Sequence, residues 1–360
     1  MEYSNLASKV LLSRTWENQH IVPLEQPAPS RALMWFLSRT FLKARIADLS
    51  VRAPIFIVGT PRCGSTMMQE LMSTHEHIAY FTATMDAFVD PTVFRACEWV
   101  RDRMGLDVKG ERYLKDSIIV NGSSPSEAMR FWGEALGLDP FSLKWTHKRI
   151  GDLTPAEVKK INQTLCYVID CFRDRSGGKA RFLNKSPALM TEVPLLQDLW
   201  PDAKFVHLVR DGRMVANSLL KLYRLQRDQD IKVNHPLFKD QPFVPYPRVP
   251  GLAEAAATWG LEDVRTTATV WDSAVKMVEL FKPGLNNFYE VRYEDVLRNP
   301  SEELRKIFEF CELGLPIANR KAYEEKVAKV GVLHHTNKYG HFEVIEEIAG
   351  DSLRKYGYLQ

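Results

Sequence analysis

The chain of 360 residues contains few cysteines, and their positions fit no metal site. The five lie at positions 63, 97, 166, 171 and 311, without the short paired spacings of a zinc ligand set. They are also too scattered for the disulfide framework of a small secreted domain. We therefore expect free thiols and a reducing compartment.

The sequence also lacks an excess of charge of either sign. Its 48 lysines and arginines nearly balance 45 aspartates and glutamates, which leaves a net charge of +3. Such a balance gives no support to nucleic-acid binding, which is typical of strongly basic proteins. A few local basic residues would still suffice for one anionic nucleotide.

Long hydrophobic runs and a secretory leader are missing as well. The first residues, Met1-Glu2-Tyr3-Ser4, have neither a basic start nor an apolar core. Residues 32–37 are apolar, but this run ends before Arg39 and is too short to span a bilayer. It favours a helix packed on the domain, with contact to a membrane surface as the alternative. We expect no transmembrane segment and a cytoplasmic protein.

One loop has the pattern of a phosphate cradle but not its lysine. The apolar run Ile55–Val58 predicts a buried strand and residues 67–72 predict a helix, with a Gly/Pro turn between them. Backbone N–H groups at such a helix start converge on an anion. The spacing Gly59-x-x-x-x-Gly64-Ser65-Thr66 is that of a P-loop without its lysine, and no acidic residue ends a strand as in a Walker B motif. The positive charge is Arg62 instead, which argues against MgATP hydrolysis.

A second segment repeats the order strand, turn and helix. Residues 205–209 predict a strand that ends at Arg210, and the helical pattern that follows carries Ser218 roughly two turns along. A guanidinium and a hydroxyl placed in this way can share one phosphate. The alternative is a surface loop that only forms salt bridges.

The remaining chain alternates between strand and helix patterns. Helices are predicted over 155–172, 253–281 and 300–311 and a strand over 287–292, while residues 1–50 are predicted to be helical. Such alternation indicates an α/β fold with a mainly parallel sheet, whose site lies at the carboxyl ends of the strands. We expect a single domain over 1–360, with 1–50 as a helical N-terminal extension.

Taken together, these motifs resemble those of the PAPS-dependent sulfotransferases. Residues 61–66, Pro-Arg-Cys-Gly-Ser-Thr, are similar to the 5′-phosphosulfate loop of that family, and Arg210 with Ser218 is similar to its 3′-phosphate motif. The Asn-Lys-Ser-Pro run at 184–187 resembles the Golgi tyrosylprotein sulfotransferases, whereas 292–300 resembles the bacterial branch. The resemblance extends from about residue 54 to the C-terminus.

This resemblance implies a fold and a reaction. The fold would be a P-loop-like three-layer α/β/α domain with a mainly parallel central sheet and helical additions, and 85–150 and 224–250 would be insertions on the acceptor side. PAPS (3′-phosphoadenosine 5′-phosphosulfate) would be the donor, and its sulfuryl group would pass in line to an acceptor hydroxyl. Side-chain cations would take the place of Mg²⁺, so we expect no metal. Without the membrane anchor of the Golgi enzymes, a bacterial cytoplasmic protein is expected.

The resemblance also implies roles for individual residues. Arg62 and Lys185 would stabilise the charge on the leaving phosphate. The position of Cys63 carries serine in most of the family, so the thiol is a small substitute or, alternatively, a reactive group at a helix N-terminus. The residues expected to bind the donor are Pro61, Arg62, Cys63, Gly64, Ser65, Thr66, Arg210, Ser218, Tyr293 and Lys338.

The general base is harder to identify from the sequence. Tyrosylprotein sulfotransferases have a glutamate pair after the first helix, but the matching residues 80–86 contain no glutamate. Asp86 is the nearest carboxylate and the first candidate, and His147 is the second.

The acceptor stays open between a small molecule, a lipid, a glycan and a tyrosine. Two other classes of protein also stay open at this point. One is a P-loop kinase or NTPase-like phosphotransferase, and the other is a nucleotide-binding relative without catalytic activity.

Overall fold

The computed structural model describes residues 2–12, 28–88, 90–112, 118–139, 141–228, 244–331 and 339–360. Its strands are β1 (Glu2–Tyr3), β2 (Ile55–Val58), β3 (Ile78–Ala79), β4 (Val108–Glu111), β5 (Ile119–Val120), β6 (Arg181–Lys185), β7 (Lys204–Val209) and β8 (Phe288–Arg292). Its helices are α1 (Leu6–Leu12), α2 (Ala28–Thr40), α3 (Ser65–Met72), α4 (Ala83–Asp86), α5 (Phe94–Met104), α6 (Met129–Leu136), α7 (Pro155–Cys171), α8 (Arg173–Ser176), α9 (Val193–Leu199), α10 (Gly212–Asp228), α11 (Leu252–Trp259), α12 (Val264–Phe281), α13 (Tyr293–Arg298), α14 (Pro300–Phe310), α15 (Arg320–Val327) and α16 (Phe342–Lys355).

A parallel sheet of five strands forms the centre of the molecule. The strands lie in the order β3-β6-β2-β7-β8, and every neighbouring pair is parallel. All residues of β2 and β7 are buried, as expected for strands covered on both faces. The prediction of an α/β fold with a mainly parallel sheet is therefore confirmed.

The order of connections places a crevice at the end of β2. After β2 the chain crosses to β3 at one edge, returns to β6, and then passes β2 to reach β7 and β8. The strands that follow β2 in the chain are therefore added first on one side of it, as β3 and β6, and then on the other side, as β7 and β8. In open parallel sheets such a reversal leaves a crevice beyond the carboxyl ends of the strands, which is where ligands bind.

Local signals explain several helix ends. Thr154 and Glu157 form a capping box at the start of α7, where each side chain bonds the backbone N–H of the other residue. The helix predicted over 253–281 is instead two helices, α11 and α12. Gly260, at a φ of 87°, ends the first helix, and Asp263 caps the second.

The N-terminal segment differs in part from the predicted run of helix. Glu2–Tyr3 pairs antiparallel with β4, which in turn pairs with β5, so a small antiparallel sheet stands apart from the central one. Of the predicted 224–250 insertion, residues 229–243 lie outside the described residues. No helix in the described part of the chain is long and apolar enough to cross a membrane.

Candidate active site

Four strand ends meet at one edge of the central sheet. β2 ends before the loop at 59–64, β6 ends at Lys185, and β7 and β8 are followed directly by Arg210 and Tyr293. The strands are in register, with Ile57 opposite Lys185 and Val209 opposite Arg292. Because parallel strands point in one direction, these distant residues converge on the crevice beside β2.

The loop after β2 has the geometry of an anion cradle. Arg62 and Gly64 have φ angles of 72° and 98°, in the left-handed region. A Cβ at Gly59 would lie 2.7 Å from the Cys63 Sγ and 2.8 Å from the Leu208 carbonyl oxygen, so only glycine fits there. Alternating backbone conformations turn successive N–H groups toward one point, and the positive end of α3 faces the same way.

Cys63 is buried beneath this loop. Its burial raises the pKa of the thiol, although hydrogen bonds with Ser65 act in the opposite direction. A buried thiol with a raised pKa is a poor nucleophile, so the geometry favours the packing role of Cys63 over the reactive one.

The two predicted phosphate motifs are joined by hydrogen bonds. Arg62 Nε donates to Ser218 Oγ at 3.0 Å, and Arg210 Nη1 donates to the Arg62 carbonyl at 2.9 Å. Ser218 is buried on α10, which begins two residues after Arg210. The structure thus brings together residues that are more than 140 positions apart in the chain, with the guanidinium of Arg62 on the Ser218 hydroxyl and that of Arg210 on the Arg62 backbone.

Tyr293 closes the cradle from the side of β8. Its ring lies where a Cβ on Gly64 would be, and the guanidinium carbon of Arg210 lies 4.6 Å from the centre of that ring. Arg210 Nη2 also approaches the Tyr339 hydroxyl at 3.5 Å. Lys338 lies outside the described residues.

Asn217 holds the backbone at Gly340 against α10. Its side-chain amide donates to the Gly340 carbonyl at 2.8 Å and accepts from the Gly340 N–H at 3.2 Å. Asn217, which makes both hydrogen bonds, directly precedes Ser218 in the sequence. It therefore fixes the position of the segment around Tyr339 relative to the cradle.

Lys185 forms an ion pair that sequence reasoning missed. Its Nζ contacts the Glu127 carboxylate; the lysine side chain is 4% exposed and that of Glu127 is 36% exposed. Glu127 precedes α6 and is brought close by the bridge between Thr82 and Pro125. No spacing or motif in the sequence marks Glu127, because its partner Lys185 lies on β6, 58 positions further along the chain.

Asp86 lies next to this ion pair. Ser126 Oγ donates a hydrogen bond to the Asp86 carboxylate. Burial raises the pKa of Asp86 to about 7, and the negative charge of Glu127 adds to the effect while Arg130 opposes it. Two carboxylates with different environments therefore lie near Lys185.

His147, the second candidate for the general base, makes its contact elsewhere. The exposed ring of His147 stacks on Trp145 with 5.0 Å between centroids, and no contact in the described residues links it to Lys185 or the loop.

Thr66, at the start of α3, accepts a 3.4 Å hydrogen bond from Arg112, which brings a further cation to the cradle. Within the described residues, no group of three or more His, Cys, Asp and Glu side chains comes together as a metal site would require.

The fold and the site define a P-loop-like α/β protein whose anion cradle is served by arginines rather than by a P-loop lysine. Comparison with known proteins makes the class more specific, because the model of the sulfotransferase family matches residues 54–234. The chain belongs to the sulfotransferase family and is a sulfotransferase. This assignment sets aside the kinase and the inactive relative as alternatives.

Individual relatives are distant. The omega-hydroxy-beta-dihydromenaquinone-9 sulfotransferase Stf3 of Mycobacterium tuberculosis is 23% identical over 335 residues, which cover 87% of this chain and 78% of the relative. Protein-tyrosine sulfotransferase A of Caenorhabditis elegans is 24% identical over 49% of this chain and 38% of its own. The crystal structure of sulfotransferase STF9 from Mycobacterium avium has a TM-score of 0.54 at 15% identity, covering 89% of this chain and 81% of that one. The last similarity concerns the fold alone.

Proposed function

We propose that this sulfotransferase uses PAPS as its donor. The observation that carries the proposal is the hydrogen-bonded set Arg62, Ser218 and Arg210 beside the anion cradle. The cradle suits the 5′-phosphosulfate, while Arg210 and Ser218 suit the 3′-phosphate that distinguishes PAPS from other adenosine nucleotides. Lys338 is added to this second group on the basis of the family resemblance. Arg62 donates to Ser218, so a phosphate held by both side chains would take the place of that hydrogen bond.

The reaction is an in-line displacement at sulfur. A bond forms between the acceptor oxygen and sulfur, and the bond between sulfur and the 5′-phosphate oxygen breaks. Adenosine 3′,5′-bisphosphate leaves with the negative charge. Arg62, the loop N–H groups and Lys185 would stabilise that charge, which grows in the transition state.

We assign the role of general base to Glu127. Lys185 would turn toward the transferring sulfuryl group when the donor binds, which frees the Glu127 carboxylate to accept the proton of the acceptor hydroxyl. Asp86 and His147 are the other candidates. Asp86 is bonded to Ser126, the residue before Glu127, whereas Glu127 itself contacts Lys185; His147 stacks on Trp145.

The acceptor is proposed to be an apolar molecule with a hydroxyl group. The predicted insertion at 85–150 supplies Glu127 and also Met129, whose sulfur accepts a 3.1 Å hydrogen bond from Ser186. Both residues therefore lie beside the end of β6. One relative that matches along most of this chain is named for a hydroxylated dihydromenaquinone, and this supports a lipid-like alcohol over a glycan or a tyrosine.

We also propose a bacterial cytoplasmic location. All five cysteines are free thiols, and four of them are buried, which suits a reducing compartment. The mycobacterial relatives support a bacterial source.

The donor is tested by thermal shift with adenosine 3′,5′-bisphosphate, AMP and MgATP. A ligand at roughly 100 times its Kd adds about 2.7 kcal/mol to the folded state, so we expect a clear rise in Tm with the bisphosphate. Arg210→Ala should remove most of the preference over AMP. Arg305→Ala, which removes a surface guanidinium paired with Glu302 and Glu309, should preserve it. Equal shifts with AMP and the bisphosphate would contradict PAPS as the donor.

A further inference from the structure

The outer face of α2 carries exposed apolar side chains. Leu33, Trp35 and Phe36 are 53%, 52% and 51% exposed, and Phe41, just after the helix, is 76% exposed. Large apolar groups that lie together on a surface mark a site of interaction. We call these four residues the α2 patch.

The opposite face of α2 is fixed to the body of the protein. Met34 is buried in a small cluster with Val93, Cys97 and Val100 on and beside α5. Leu37 and Leu42 pack against the same cluster. The helix is therefore docked by one side only, and the patch faces outward because residues 33 and 36 lie away from the buried face at 34 and 38.

Two ring contacts are formed within the patch and at its border. The rings of Phe36 and Phe41 meet edge to face at 6.4 Å between centroids. The guanidinium carbon of Arg39 lies 5.4 Å from the centre of the Trp35 ring. Aromatic groups and a cation thus lie side by side, as they do in helices that sit at the boundary between lipid headgroups and acyl chains.

Within the segment that carries the patch, the charged side chains have a single sign. Residues 28–47 contain four basic side chains and no acidic one, although the whole chain is almost balanced. Three of the four, Arg31, Arg39 and Lys43, lie within two or three positions of a patch residue. Such a segment is complementary to a negatively charged surface.

A second helix, α1, also has exposed apolar side chains. Leu6 and Val10 of α1 are 77% and 70% exposed, with Lys9 between them. Asn5 donates to the carbonyl of Gly105 at the end of α5, so α1 and α2 are both held by this helix.

We propose that the α2 patch docks on the surface of an anionic phospholipid bilayer, with its aromatic side chains in the interface and its basic residues on the headgroups. The helix lies on the membrane and does not cross it. This surface is separate from the donor site, and the proposal holds whichever nucleotide the enzyme uses.

The experiment is co-sedimentation of the full chain with vesicles. Vesicles of equal parts phosphatidylglycerol and phosphatidylcholine should bind the protein, and vesicles of phosphatidylcholine alone should bind it much less. The double variant Trp35→Ser with Phe36→Ser should bind at least about tenfold more weakly, because two aromatic side chains no longer leave water. Arg39→Glu with Lys43→Glu should lose binding to the anionic vesicles in particular.

The matched control removes exposed apolar side chains elsewhere. Leu280 and Ile317 are 73% and 82% exposed, and Leu280→Ser with Ile317→Ser should leave vesicle binding unchanged. Equal Tm values for all variants establish that each is folded. The proposal is overturned if the wild type does not bind anionic vesicles, or if both serine pairs bind like the wild type. It is also overturned if the patch variants only dissolve a dimer seen by light scattering, which would make a second copy the occupant.

Discussion

At the scale of single residues, the two carboxylates near Lys185 are chemically different. Glu127 contacts the lysine directly, whereas Asp86 is bonded to Ser126 and its burial raises its pKa to about 7. Environments that separate two acids in this way often separate their roles as well. Glu127 is paired with a cation, whereas burial favours the protonated form of Asp86.

Glu127→Gln tests the base directly. The amide is nearly the same shape but accepts no proton, so we expect kcat to fall about 100-fold or more while the KM for PAPS changes little. The measurement is steady-state transfer to a model alcohol. Glu134→Gln, which alters an exposed carboxylate paired with Arg130, should retain full activity. Full activity in Glu127→Gln combined with a large loss in Asp86→Asn would assign the base to Asp86.

Asp86→Asn should change how stability depends on pH. The pKa of Asp86 is raised in the folded state to about 7, above its ordinary value of about 4, so the native protein binds more protons between these values. The free energy of unfolding of the wild type should therefore fall as pH rises through this window, by on the order of 1–3 kcal/mol.

Chemical denaturation at a series of pH values measures this effect. In Asp86→Asn, the free energy of unfolding should fall less than in the wild type between about pH 4 and about pH 7. Asp351→Asn, which alters a carboxylate that is 87% exposed, should follow the wild type. Parallel curves for Asp86→Asn and the wild type would show that Asp86 titrates normally.

At the scale of elements, the sequence predicts best what is written in consecutive residues. The strand, loop and helix around Arg62 and the strand and helix around Arg210 each follow from a short apolar run, a turn and a helical repeat. Glu127 could not be found in this way, because its position depends on the bridge of Thr82 to Pro125 and on β6. The break at Gly260 was missed because an isolated glycine in a helical pattern is usually tolerated.

Asn217 on α10 and the backbone of Gly340 form a clamp of two hydrogen bonds, which connects two elements of the fold. Asn217→Ala removes both hydrogen bonds to Gly340, so the segment around Tyr339 should no longer be held beside Arg210. We expect affinity for adenosine 3′,5′-bisphosphate to fall about tenfold, with affinity for AMP nearly unchanged. Isothermal titration calorimetry with both nucleotides measures the two changes in affinity separately. Asn319→Ala, which removes a similar bond to the carbonyl of Thr74, should affect neither nucleotide. Equal losses for AMP and the bisphosphate would mean that the clamp supports the whole domain and not the 3′-phosphate end.

At the scale of the whole molecule, the alternation of elements predicts the parallel sheet, but the order of its strands cannot be read from it. Order depends on which apolar faces cover each other, and many arrangements satisfy the same pattern. The small antiparallel sheet is a further example. β1 has two residues, which are too few to show the alternation of apolar and polar side chains that predicts a strand. Its partner β4 lies about a hundred positions away in the chain.

The assembly of the cradle from separate strand ends has a consequence for synthesis. When a nascent chain has emerged as far as Ser218, both phosphate motifs exist, but β8 and Tyr293 do not. The apolar strand β7 then has one unpaired edge, which is a template for pairing with other chains. Because the cradle is closed only when Tyr293 packs on Gly64, the nucleotide offers little protection during that interval. This edge of β7 stays open to other chains until Phe288–Arg292 has been made and can pair with it.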